Sequence, residues 1–484
     1  VRKRTRGVVG VAVGAAMTAA VAAGANAAVA DGAGPDREQP AAAEKTTPGD
    51  IDHDGYADLG VGAPDGTVSG KSKSGYVGVT YGARSGVDTG RHGTLSQASP
   101  GVPGTPEAGD HFGSAVVRGD VDGDGYTDLI VAANQEAIGT TKRAGSVTVV
   151  FGAKGGLSGD AIAFHAPQAT AYALFGDTMA VGDYNHDGRD DIAISDGTKV
   201  QLVGGAANLR KTATPKMTAV TPPGGGAGIE HLSSGDINGD GFADLVTVAY
   251  QDDPADEGTL GVLPGSSGGL KSTPLGEDVP LPFASYRAVV GDINGDGKDD
   301  VVTDTRFEDG PDDARLRTYP GSAAGLDTAN SVIWKGTPQN GIASRLTDIN
   351  GDGHDDLVVG DTGAEAPGGY NDAGAITVLK GTGDWLTDAG AQTFSLDTED
   401  VPGEMAGNDK FGDAVSPADY NGDGKPDLAV GIPNRTEGAG ATALLYAGAD
   451  GLTAEGSALI GPGDLGAPTT DAAFGTELSG PATK

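Results

Sequence analysis

Cysteine is absent from the 484 residues, which excludes disulfides and thiolate metal sites. Cations are scarce: 32 Lys and Arg stand against 68 Asp and Glu, a formal charge of −36. That balance argues against nucleic acid as a partner, because phosphate backbones are gripped by basic surfaces. Helical periodicity is missing after residue 30, and no later apolar run is long enough to span a membrane. Histidine is also sparse, with 7 residues and no H-x-x-x-H pair, so a zinc site of that kind is excluded.

The first 30 residues read as a signal peptide. Val1-Arg-Lys-Arg-Thr-Arg is a basic start, Gly7 to Gly24 is apolar and Ala-rich, and GANAAVA offers small-residue cleavage sites near Ala28 or Ala30. An uncleaved anchor helix is the rival reading. Residues 31–48 form a polar linker expected to be disordered, and residues 49–484 form one large domain. Glycine, at 84 residues, fits short strands joined by tight turns.

One nine-residue pattern, D-x-[D/N]-x-D-G-x-x-D, occurs seven times in that domain. Positions 1, 3, 5 and 9 are Asp50, Asp52, Asp54 and Asp58 in the first copy and Asp120, Asp122, Asp124 and Asp128 in the second. They are Asp183, Asn185, Asp187 and Asp191 in the third, and Asp236, Asn238, Asp240 and Asp244 in the fourth. The fifth has Asp292, Asn294, Asp296 and Asp300; the sixth Asp348, Asn350, Asp352 and Asp356; the seventh Asp419, Asn421, Asp423 and Asp427.

Calcium takes about 6–8 oxygen ligands, and such a loop supplies carboxylate, amide and backbone oxygens in one turn. The Gly at position 6 permits the bend. Position 7 offers only its carbonyl, so its side chain is free to vary: Tyr56, Tyr126, Arg189, Phe242, Lys298, His354 and Lys425. An EF-hand would run on to a Glu at position 12 between helices. Here the chain enters apolar, strand-like runs such as LGVG after Asp58, so each loop is expected at a hairpin tip. Up to seven Ca²⁺ are expected, which would bring the formal charge from −36 to −22.

The first aspartates are spaced 70, 63, 53, 56, 56 and 71 residues apart. Each unit has a strand into the loop, a strand out, a third ending in a Gly turn (GSVTVVFGAKGGL, GAITVLKGTGDWL) and a weaker fourth. Four strands in each of seven units predict an all-β, seven-bladed β-propeller. The first loop has no strand entering it, and AFGTELSG from Ala473 looks like an entering strand with no loop behind it. Residues 473–480 are therefore expected to complete the first blade and close the ring.

These features resemble the FG-GAP repeat family, the propeller of integrin α-subunits and of many bacterial secreted (VCBS-type) proteins. The Phe-Gly pairs are Phe112-Gly113, Phe175-Gly176, Phe411-Gly412 and Phe474-Gly475, and the GAP element is Gly62-Ala63-Pro64. Copies four to six lack the Phe-Gly and Ala-Pro elements, so their assignment rests on the loop and the third strand. The resemblance implies calcium ligands at every loop and two classes of function. The first is a secreted or wall-associated binding module, acting as a monomer without an appended domain on an extracellular protein or glycan. The second is an extracellular hydrolase, of phospholipase or glycan-active type.

Three motifs tempt other readings. Arg118-Gly119-Asp120 spells an adhesion tripeptide, yet Asp120 opens the second loop. Gly265-Ser-Ser-Gly-Gly269 fits G-x-S-x-G but aligns with the third-strand turns, without the strand–turn–helix setting of a nucleophile elbow. Gly66 to Ser72 is one residue short of a P-loop. The loops after the second strands are expected on the rim opposite the metals. There Lys71, Lys73, Lys142, Arg143 and Tyr370 are candidate partner contacts, and the fourth and fifth blades offer acidic residues such as Asp252, Asp253, Glu308 and Asp309.

Overall fold

A computed structural model describes residues 47–480 except 225–227, 251–257, 282–286, 304–315, 335–342 and 366–368. The expected signal segment and nearly all of the linker fall outside the described residues. Seven four-stranded antiparallel sheets follow one another along the chain and form a seven-bladed β-propeller. Blade 2 shows the plan: strands Phe112–Gly119, Asp128–Ala133, Ser146–Ala153 and Gly156–Phe164, each paired with the next. Successive first strands contact one another around the ring.

Burial follows strand position. Second strands such as Asp128–Ala133 and Asp427–Ile432 are buried throughout. They have a strand on each side and a blade on each face, so they read as continuous Val/Ile/Leu/Ala runs. Fourth strands such as Asp88–Leu95 lie at the outer edge and are mostly exposed. They carry charge and Gly, which discourages pairing with a further strand. Blade 5 departs from the plan. Its fourth strand is only Val332–Ile333, and a small hairpin, Gly321–Ser322 with Gly325–Leu326, precedes it.

The core is divided among the blade interfaces. Each apolar cluster joins two neighbouring blades, and seven clusters serve seven interfaces. The Phe-Gly pairs fasten these interfaces. Phe112, Phe175, Phe411 and Phe474 are all 0% exposed. Their backbone N–H groups donate to Ser74, Ala144, Ala373 and Ala439 of the preceding blade. At Gly75, which has φ of +78°, an added Cβ would strike the Phe112 backbone. Only glycine permits both that conformation and that approach.

Closure follows the expected route. Glu477–Leu478 pairs antiparallel with Leu59–Ala63, placing Leu478 opposite Val61. Ser479 N–H donates to Gly60 O at 2.8 Å, and Ser416 Oγ of blade 7 donates to Ser479 O at 2.7 Å. Gly480 bridges Val117 of blade 2. The cluster at this seam joins Phe474 and Leu478 to Leu59, Tyr76, Ala429 and Leu444, so the closing interface has a core like the others. Phe474→Ala is expected to cost about 3–5 kcal/mol by cavity formation. Denaturant unfolding would measure it, and a loss below about 1 kcal/mol would mean the seam is held elsewhere.

Candidate metal centres

In blades 2 to 7 the nine-residue loop joins the first strand to the second, and in blade 1 it leads into the second strand, whose first-strand partner is Glu477–Leu478, so all seven lie on one rim. Hydrogen bonds shape the loop from within. In blade 2, Asp120 Oδ1 accepts from Gly123 N and Asp124 N at 2.8 and 3.1 Å, and Oδ2 accepts from Gly125 N at 2.9 Å. The position-5 carboxylate accepts from the position-7 N–H in every copy.

The position-9 aspartate ties the loop to its blade. One oxygen takes the N–H at the end of the third strand: Gly82, Gly152, Gly205, Gly265, Gly321, Gly381 or Ala447, at 2.7–2.9 Å. In five copies an oxygen also takes the N–H of position 2. These seven carboxylates are 0–1% exposed. Burial pushes Asp58 and Asp128 up to about 8, Asp244, Asp300 and Asp427 to about 7, and Asp191 and Asp356 to about 6. Backbone N–H bonds oppose the rise and neighbouring loop carboxylates add to it.

Position 3 has two forms. Where it is Asn, its Nδ2 donates to the position-9 carboxylate, as from Asn185 to Asp191 at 3.0–3.1 Å and from Asn421 to Asp427 at 3.1 Å. Where it is Asp, the residue is buried, with Asp52 at 5% and Asp122 at 6% exposure. The Oδ1 atoms of both are buried without a hydrogen-bond partner. An orphaned anionic oxygen is costly unless something outside the protein pairs with it. Asp50, Asp52 and Asp58, and likewise Asp120, Asp122 and Asp124, bring ligand oxygens within 4.8 Å of one another. The donors are all hard oxygens, the set a divalent alkaline-earth ion takes, so the residues fit such a group.

The loops are also wired to each other. Position 8 of one loop donates its N–H to the position-1 carbonyl of the preceding loop: Thr127 to Asp50, Asp190 to Asp120, Asp299 to Asp236 and Asp355 to Asp292, all at 2.9–3.0 Å. Ala243 reaches Asp183 at 3.4 Å, and Ala57 reaches Asp419 at 2.9 Å. Position 8 of the seventh loop is Pro426, which has no N–H to give. Asp190, Asp299 and Asp355 also accept the position-1 N–H of that preceding loop. The sequence reading passed over these three, although the terminal D-D of their copies marks them. It also passed over Arg91 and Arg210, which reach loops 1 and 2 from elsewhere.

Lys71, Lys73, Lys142, Arg143 and Tyr370 stand exposed on connections at the opposite end of their blades. Lys73 Nζ pairs with Asp65 at 2.7 Å. Arg143 lies 5.7 Å from the ring of Tyr172, a residue missed from sequence and 62% exposed. Asp252, Asp253, Glu308 and Asp309 lie outside the described residues. Arg118 is 1% exposed and donates from Nη1 to Asp58 O at 2.7 Å, so its tripeptide is not displayed. Ser266 Oγ is engaged by Gly269 O in a turn. A cavity of about 320 Å³ is lined by Asp177, Glu230, His231, Arg287, Arg345 and Glu477 from the inner strands. Burial, with Arg287 and Arg345 beside it, holds the His231 imidazole well below its ordinary range.

The protein is thus a closed β-propeller with an oxygen-lined loop on each blade. The FG-GAP repeat model matches residues 43–79, 112–150, 340–379 and 411–445, and an FG-GAP-like repeat model matches 183–247. The chain belongs to the FG-GAP repeat family. It is 32% identical over 150 residues to integrin alpha-PS5 of Drosophila melanogaster, covering 29% of this chain and 15% of that protein. It is 38% identical over 91 residues to the phosphatidylinositol-glycan-specific phospholipase D of Rattus norvegicus, covering 18% of this chain and 10% of that protein. The chain thus spans a small part of the curated relatives it matches.

The raised position-9 pKa values set a pH dependence for the metal-free protein. A carboxyl raised above its unfolded value near 3.9 stabilises the fold fully below about pH 4, and that contribution is lost as pH rises through the folded value. The loss should therefore run up to about pH 8, set by Asp58 and Asp128. In chelator, thermal midpoints should fall between pH 5 and 8. A bound cation favours the ionised carboxylates, so excess Ca²⁺ should flatten or reverse the trend.

Proposed function

We propose that the chain is an exported, calcium-stabilised binding module that holds an extracellular protein or glycan on the rim opposite its metal loops. The observation that carries the reading is the division of labour between the rims. One rim holds seven loops of the same design, with two buried carboxylate oxygens left free for a cation. The other presents exposed Lys71, Lys73, Lys142, Arg143 and Tyr370 on connections between second and third strands, and Tyr172 on the connection from blade 2 to blade 3. Loops on a rigid frame can diverge in sequence without unsettling it. Calcium is the ion this donor set favours, with sites of about 10⁻⁴–10⁻³ M typical of extracellular modules.

Export rests on the signal-like segment 1–30, and among the described residues no helix is long and apolar enough to cross a membrane. The identity to integrin alpha-PS5 supports a binding role. The identity to the phospholipase D raises a hydrolase as the second reading. The cavity at the ring's centre gives that reading little support. Asp177, Glu230 and Glu477 line it together with His231, but burial and the cations Arg287 and Arg345 oppose the imidazolium that a general base must form.

The test immobilises residues 47–484 in millimolar Ca²⁺, offers culture supernatant and cell-wall extract, and elutes with chelator. A discrete partner should be recovered. Lys142→Glu with Arg143→Glu should weaken its binding about tenfold or more, as expected for two charged contacts of about 1 kcal/mol each. A partner retained at full affinity by the double variant would remove this face from the reading.

A further inference from the structure

Loops 1 and 2 carry four ligand-position carboxylates, whereas loops 3 to 7 carry three and an Asn. The extra charge sits at position 3, on Asp52 and Asp122, among buried carboxylates that repel it. In both loops an arginine from outside meets it. Arg91 places Nη2 on Asp52 Oδ2 and Nη1 on Asp54 Oδ2, the latter at 3.1 Å. Arg210 places Nε on Asp122 Oδ2 and Nη2 on Asp124 Oδ2, the latter at 2.5 Å, and also donates to Gly152 O at 2.9 Å. Each guanidinium lies 4.9 Å from an aromatic ring at the end of a third strand, Tyr81 under Arg91 and Phe151 under Arg210.

The two arginines arrive by different routes. Arg91 comes from the fourth strand of blade 1, and Arg210 from a short 3₁₀ turn, Leu209–Lys211, of blade 3 that reaches across to blade 2. Repetition of one blade plan does not explain that. What the two share is the chemistry at the end: a guanidinium on an aromatic shelf, spanning the outer oxygens of positions 3 and 5. The inner oxygens, Asp52 Oδ1 and Asp122 Oδ1, remain buried without a partner. In the Asn loops the contacts differ. The amide turns to position 9, and where a cation meets position 5 it comes from position 7 of the same loop, as Arg189 to Asp187 and Lys298 to Asp296.

We propose that Arg91 and Arg210 are positioning residues for the first two cation sites. Each holds its position-3 aspartate by the outer oxygen, which leaves the inner oxygen free for the ion, and cancels the additional charge; of the two, the charge cancellation governs calcium affinity. Loops 1 and 2 then meet their ion with a local charge close to that of the Asn loops that have no cation on position 5, by a different construction. An ordinary surface ion pair contributes little. Here the Asp52 and Asp122 side chains are only 2% and 4% exposed, so the guanidinium answers a charge that water does not reach. The inference rests on the reading of the loops as calcium sites.

The test compares thermal midpoints in chelator and in excess Ca²⁺, with calcium titrated calorimetrically. The wild type should be stabilised by Ca²⁺; if it is not, the calcium reading itself fails, whatever the arginines do. Arg91→Gln and Arg210→Gln should each lower the midpoint in chelator by about 1–3 °C, because four carboxylates are left to repel one another. Each should enlarge the calcium-induced rise, because a cation beside the ion has been removed. Adding Asp52→Asn to Arg91→Gln, and Asp122→Asn to Arg210→Gln, should restore both quantities to near wild type by recreating the composition of loops 3 to 7. Unchanged midpoints in the glutamine variants would overturn the proposal. So would a failure of the asparagine substitutions to rescue them, since the arginines would then act by packing on Tyr81 and Phe151.

Discussion

The structure depends on a carboxylate taken out of water. At position 9 of every loop an aspartate accepts an N–H from the end of the third strand of its own blade. The same residue opens the second strand in most blades, as Asp128 and Asp427 do. One side chain therefore fixes the loop, the strand leaving it and the strand beyond. Burial opposes its ionisation, and the neighbouring loop carboxylates oppose it further. An anion in that setting needs a compensating charge. A cation held by the all-oxygen donor set would supply it, whereas Arg91 and Arg210 pair with the carboxylates of positions 3 and 5.

Between blades the governing constraint changes from charge to shape. Each apolar cluster is shared by two neighbours, so no blade holds a complete core of its own. The Phe-Gly pairs supply the largest common element, a fully buried ring set against a glycine where a side chain would strike backbone. Blades 4 to 6 lack the pair and rely on smaller residues such as Val248, Val290, Val302 and Val359. Shared cores make the ring one cooperative body on the described residues, in the manner of repeat proteins whose neighbours complete each other.

Much of this was legible in the chain because it is written in local, repeated terms. The nine-residue loop marks each hairpin, and the apolar runs on either side mark its strands. The placing of the closing strand within 473–480 followed from a Phe-Gly pair with no loop behind it. What stayed hidden depends on partners brought together only by folding. Arg91 and Arg210 lie 39 and 88 residues from the aspartates they meet, in segments with no repeated spelling. Tyr172 stands three residues before Phe175, where the other Phe-Gly connections carry Gly109, Asn408 and Asp471, so the repeat gives that position no aromatic spelling. The charged lining around His231 gathers residues from separate blades, so no spacing rule could assemble it.

Pro426 leaves one gap in the string of hydrogen bonds that runs from loop to loop, between the sixth and the seventh. A closed circle of bonds has no ends, whereas a circle with one gap has two. The loops thus form a directional string that begins at the seventh, passes through the first and finishes at the sixth. Blade 1 is assembled from two distant segments, and its loop has no continuous strand leading into it. That loop is tied on both sides, by Ala57 to Asp419 and by Thr127 to Asp50. The gap falls where the backbone itself is continuous. On the rim of the nine-residue loops, non-covalent stitching is complete where covalent continuity is missing, and the one dropped stitch lies where the polypeptide already holds.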